Sequence, residues 1–165
     1  MNSLKYLFFF SFLMVFACTQ PPDYPDEPVI TFKSMTKNTL VQGSLIGPTS
    51  DSLLMTISFT DGDGDLGEES SQIRPLSNIY LIDQRINDTL LPQTIPFIPV
   101  QGAGNGISGD ISFVVYPSCC IYLGQACEVF EEYPVDTLRY SILIQDRAGN
   151  FSNMIESDPI FLLCQ

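Results

Sequence analysis

The 165-residue chain sets 7 Lys+Arg against 19 Asp+Glu, a net charge of −12, and contains neither histidine nor tryptophan. So acidic a surface repels nucleic acid and anionic head groups, which excludes both as partners, and it suits cations. Without histidine there is no Ser/His or Cys/His nucleophile pair, and the commonest general base and zinc ligand are missing.

Lys5 opens the chain's first signal, an apolar run from Tyr6 to Phe16. The run is short of the about 20 apolar residues a bilayer span requires and has the size of a signal-peptide core. The tetrapeptide that follows, Val15-Phe16-Ala17-Cys18, resembles the lipobox of bacterial lipoproteins. In that family the signal is cut before the cysteine, whose sulfur then carries a diacylglyceryl group. The resemblance implies a signal peptide over 1–17 and lipidation at Cys18. It implies an outer-membrane protein held by its lipid anchor, with the periplasmic or cell-surface face open. An ordinary secretory signal with an unrelated cysteine is the plain alternative. Losing Lys5 with the signal leaves six basic residues against 19 acids, a net charge of −13 on the 148 residues from Cys18 to Gln165. That length is enough for one domain. Thr19 to Pro28 holds four prolines and three acids. With Cys18 it makes an 18–28 tether, extended and roughly 30 Å long at about 3.1 Å per residue.

Beyond the tether the apolar period is two. Leu53, Met55, Ile57 and Phe59 alternate with mostly polar neighbours, as do Ile111, Phe113 and Val115, and then Leu138, Tyr140, Ile142 and Ile144. No segment of ten residues carries a helical stripe. The pattern predicts strands at Val29–Met35, Ser52–Thr60, Asn78–Gln84, Thr89–Leu91, Phe97–Val100, Asp110–Tyr116, Thr137–Gln145 and Pro159–Leu163. Breaks are expected at Gln42–Ser50, Gly102–Gly109 and Ser118–Pro134. Count, spacing and length predict an all-β, two-sheet β-sandwich of about seven to eight strands over 29–165.

Directly after the clearest strand comes Asp61-Gly62-Asp63-Gly64-Asp65-Leu66-Gly67-Glu68-Glu69. Alternating Asp and Gly is what a calcium loop needs, because carboxylates give hard oxygen ligands and glycine lets the backbone curl around the ion. It is no EF-hand, since Leu66 and Gln72 stand where that loop needs Gly and Glu. A solvated Asp-Gly turn is the bland reading. Gly104-Asn105-Gly106-Ile107-Ser108-Gly109 spells GxGxxG but precedes a strand with no helix behind it, so it reads as a loop.

Besides Cys18 there are four cysteines, Cys119, Cys120, Cys127 and Cys164. An exported chain with an even count predicts two disulfides. Adjacent cysteines rarely pair with each other. One of Cys119 and Cys120 is therefore expected to join Cys127 and the other Cys164. A metal site is the rival, although zinc spacing is missing. Tyr116, Tyr122, Phe130 and Tyr133 surround this insert and serve either as a contact patch or as a satellite core.

Asp136-Thr137-Leu138-Arg139-Tyr140-Ser141-Ile142 resembles the run that opens strand F of immunoglobulin domains, with Tyr140 as corner tyrosine. Gln145 to Asn153 is similar to the last hairpin of bacterial immunoglobulin-like modules, and the acidic loop is similar to the Asp-rich loops of cadherin-like modules. The strand-C tryptophan and the strand-B cysteine of antibody domains are absent. If Ser52–Thr60 is strand B and Thr137–Gln145 strand F, the loops after them lie at one end of the sandwich. The resemblance thus implies Asp61, Asp63, Asp65, Asp146 and Asn150 as ligands of a structural Ca2+ ion, with Asp26 and Glu27 within reach and Arg147 offsetting surplus charge. Its expected role is to fix the loops and stiffen the tether. Asp51-Ser52-Leu53, Asp88-Thr89-Leu90 and Asp136-Thr137-Leu138 match the O-glycosylation acceptor pattern of the Bacteroidota, at Ser52, Thr89 and Thr137. Together these readings predict a non-enzymatic envelope lipoprotein that binds another protein, with a carbohydrate-binding accessory role as the alternative. A hydrolase using paired carboxylates such as Asp146 and Asp63 requires one with a raised pKa in a cleft.

Overall fold

The computed structural model describes residues 23–43, 51–67, 78–89, 93–99 and 106–165. Cys18, the signal and the start of the tether lie outside them. The strands in chain order are β1 (Val29–Met35), β2 (Thr39–Val41), β3 (Leu53–Asp61), β4 (Ile79–Asp83), β5 (Asp88–Thr89), β6 (Ile107–Val115), β7 (Ile121–Tyr122), β8 (Gln125–Ala126), β9 (Val135–Leu138), β10 (Tyr140–Ile144), β11 (Ile155–Glu156) and β12 (Ile160–Leu163). There is no helix among the described residues.

One layer is the antiparallel sheet β1-β3-β6. The other is built from β11-β10-β4-β5 and β2-β12-β9. These two pieces join, because β9 runs into β10 across Arg139 and β11 into β12 across residues 157–159. The alternation of β3 turns Leu53, Met55, Ile57 and Phe59 inward, and that of β10 turns Tyr140, Ile142 and Ile144 inward. These rows meet Ile79 and Leu81 of β4, Phe113 of β6 and Leu162 of β12 in one core. The fold is therefore a β-sandwich. In it β3 lies between β1 and β6, and β10 between β4 and β11.

The predicted strand Thr137–Gln145 is in fact two. Its alternation runs unbroken through Leu138 and Tyr140, both buried, so the pattern carries no mark of the break. The break arises in pairing: β9 bonds to β12, while β10 bonds to β4 and β11. Residues 97–99 of the predicted strand Phe97–Val100 form none. Ile98 instead donates its N–H to the Leu66 carbonyl at 3.3 Å, which packs the segment on the acidic loop. The expected break at Gly102–Gly109 ends sooner, since β6 starts at Ile107 and pairs through Asp61. The short strands β2, β7, β8 and β11 were not predicted; two or three residues are too few for a period. Leu90, Leu91 and Val100 lie outside the described residues.

Edge strand β1 is covered at one point by a side chain. The Asn153 amide accepts the Ile30 N–H at 2.8 Å and donates to the Ile30 carbonyl at 2.9 Å. Cysteine pairs close the other end: Cys119 with Cys127 and Cys120 with Cys164. The second pair joins the chain's last buried residue to the insert. Arg85 ties the same region together. Its guanidinium donates to Asp83 at 2.6 Å, to Asp136 at 2.5 Å, to the Ser118 hydroxyl at 2.8 Å and to the Cys119 carbonyl at 3.1 Å. Tyr140 is buried at the start of β10 with the Ser118 hydroxyl as partner, and burial pushes its phenol up to about 12.

Candidate metal centre

The inward row of β3 does not stop at Phe59. The next inward position is Asp61, which is 0% exposed. The inward row of β10 likewise continues from Ile144 to Asp146, 4% exposed. Two core rows, one from each sheet, thus end in a carboxylate at the same end of the sandwich. The turn after Asp61 brings Asp63 and Asp65 back over it. Gly64, at φ 71°, supplies the left-handed conformation this turn requires. One oxygen from each of Asp61, Asp63, Asp65 and Asp146 lies within 4.8 Å of the others. These four residues could hold a metal ion.

The hydrogen bonds of the cluster leave oxygens free where they meet. Asp61 Oδ2 accepts the Asp65 N–H at 3.0 Å, while Oδ1 is buried with no partner. Asp65 accepts the Ala148 N–H, while its Oδ1 too is buried without a partner. Buried polar atoms are nearly always hydrogen-bonded, so each orphan calls for an explanation. A third, Asn78 Oδ1, is not a member of the cluster.

Charge makes the same point. Burial, then the charges of Asp63, Asp65 and Asp146, pushes the Asp61 carboxyl up to about 7. Asp65 is also raised, by burial first and then by Asp146 and Asp63. Asp83 is an instructive contrast. It too ends an inward row, that of β4, and is 1% exposed, but Arg85 neutralises it. No ion pair among the described residues reaches the four-Asp cluster. Arg147, expected to offset its charge, forms no ion pair with it but does lower Asp65 through its charge; its guanidinium donates to the Leu66 and Gly67 carbonyls at 2.8 and 2.9 Å and lies 5.0 Å from the Phe97 ring centre. It braces the loop from behind.

Two further groups were expected at the site. Asn150 does reach the site, but its main-chain N–H and side-chain amide donate to the two Asp146 oxygens at 2.7 and 2.9 Å. It orients a ligand. Asp26 and Glu27 are exposed and outside the cluster. The tether approaches through its backbone, with the Pro25 carbonyl accepting the Gly62 N–H at 2.8 Å. The inward phase of Asp61 and Asp146 was visible in the sequence as the continuation of two apolar rows.

Ser52, Thr89 and Thr137 are exposed, and each main-chain N–H is held by the carboxylate of the preceding aspartate, at 2.9, 2.8 and 2.7 Å. Among the aromatics of the insert, Tyr122 stacks on Tyr133 with ring centres 3.8 Å apart and meets Phe130 at 5.1 Å. They stack on one another at the surface, since Tyr133 and the nearby Tyr116 are exposed and Tyr122 and Phe130 half-buried, so the cluster is not a buried satellite core. No known protein family, curated protein or solved structure matches the chain.

Proposed function

We propose that the protein is a non-enzymatic lipoprotein, anchored in the outer membrane through Cys18, whose calcium-stabilised immunoglobulin-like module binds another protein of the cell envelope. The observation that carries the calcium part is the orphaned Oδ1 of fully buried Asp61, surrounded by three more carboxylates. Calcium takes six to eight oxygens at 2.3–2.6 Å, so two ligands of one ion stand no more than about 5 Å apart. The cluster meets that limit. An all-oxygen, all-anionic set without nitrogen or sulfur favours a hard cation. The set fits a structural ion better than a general acid, because Asp61, although its carboxyl is raised, is sealed from any substrate.

The partner reading rests on the lipobox, the tether and a small module with a fixed loop end. Affinity purification of the tagged full chain from detergent-solubilised membranes, with calcium and with chelator, tests it. A stoichiometric protein partner lost on chelation is the expected result. No partner in either condition overturns the subunit reading and brings carbohydrate binding forward.

A further inference from the structure

The tether is seated on the domain at the same peptide that carries the first carboxylate. Besides the Pro25–Gly62 hydrogen bond, the Tyr24 ring lies against Gly106. The seat has no spare room. A Cβ on Gly62 would stand 2.4 Å from the Tyr24 carbonyl oxygen and 2.7 Å from that of Pro25. A Cβ on Gly106 would stand 2.6 Å from the Asp61 carbonyl oxygen and 2.9 Å from the Tyr24 ring. Neither glycine has a positive φ, so close approach of the strap, not backbone conformation, is what demands them.

The Asp61–Gly62 peptide therefore has two working sides. The Asp61 carboxylate forms one wall of the metal centre. The Asp61 carbonyl and the Gly62 N–H form the floor of the seat. Resting on the calcium reading above, we infer that the ion gates this strap. With calcium bound, the 61–65 loop is fixed and Tyr24–Pro25 sits between Gly62 and Gly106. With calcium removed, repulsion among Asp61, Asp63, Asp65 and Asp146 displaces the loop, and the Gly62 N–H leaves the Pro25 carbonyl. One main-chain hydrogen bond and one partly buried ring are weak restraints against four clustered carboxylates. The device sets whether the tether leaves the domain in one direction or swings freely.

The chain has no tryptophan, so Tyr24→Trp places a sole tryptophan, excited selectively over the tyrosines, in the seat. The full chain in detergent is titrated with calcium chloride while acrylamide quenching of Trp fluorescence is read, and calorimetry on the same sample reports binding. Amide hydrogen exchange at Gly62 in the unsubstituted chain gives the same answer without a reporter. The expected result is a severalfold fall in quenching and in Gly62 exchange, both at the calcium concentration of the calorimetric transition. Adding Gly62→Ala to the reporter chain should leave calcium binding measurable and quenching as high as in chelator. Calcium binding with no change in Gly62 exchange overturns the strap and leaves the metal centre standing. No calcium binding overturns both.

Discussion

Replacing Asp61 by Asn isolates the electrostatic load of the four-Asp cluster. The Asp61 carboxyl is raised from 3.8 to about 7 by burial and by its three acidic neighbours. A folded-state pKa above the unfolded one means that the native state holds the proton more tightly. Stability in the absence of metal is then greatest below about pH 4 and falls as pH rises towards 7. Three pH units correspond to about 4 kcal/mol, an upper bound once the loop relaxes. Asn keeps the shape and the acceptor for the Asp65 N–H but carries no charge. Urea unfolding in chelator at pH 8 should show Asp61→Asn more stable than the unsubstituted chain by about 2–4 kcal/mol, with the two converging near pH 4. Added calcium should close most of that gap. At 100 times its Kd it stabilises the unsubstituted chain by about 2.7 kcal/mol and leaves the variant unmoved. An Asp61→Asn chain no more stable than its parent at pH 8 in chelator would refute the electrostatic argument. A variant that still gains stability from calcium would refute the site.

Asn150→Ala should keep the fold and weaken calcium binding by about 10–100-fold in calorimetry, since Asn150 orients Asp146 without replacing it. Arg85→Ala should cost about 3–5 kcal/mol in urea unfolding, because it strands the Asp83 charge in the interior. Removing the Cys120–Cys164 bridge, which spans 44 residues, should lower stability by about 4 kcal/mol, against about 2.5 kcal/mol for the 8-residue Cys119–Cys127 bridge. Gly67→Ala should destabilise by more than about 1 kcal/mol in thermal unfolding, since φ is 83° and a Cβ would stand 2.2 Å from the Pro96 carbonyl oxygen.

Strands that bury a full row could be read from the chain. Val29–Met35 has its predicted bounds, and β3 and β6 differ from prediction by a few residues at their ends. The division at Arg139 could not be read, because side-chain alternation says which face a residue takes and nothing about which neighbour its backbone bonds. The cysteine spacing allowed two pairings, and choosing between them takes the fold. The acidic loop was legible as a candidate metal site from composition, whereas its depth is legible only from the phase of the strands that lead into it. Depth comes from Asp61 and Asp146 occupying the next inward step of two core rows, a property of phase rather than of residue type. Asn150 was placed at the site from the position of its loop, whereas the hydrogen bonds of its amide to Asp146 are set by the 146–150 turn.

The single side chain that closes the edge of β1 has a consequence beyond the fold. An open strand edge is a template on which a second molecule can add its own strand. At Ile30 both main-chain groups are already taken by Asn153, so an incoming strand would find neither donor nor acceptor there. That one amide is a guard against polymerisation through this edge.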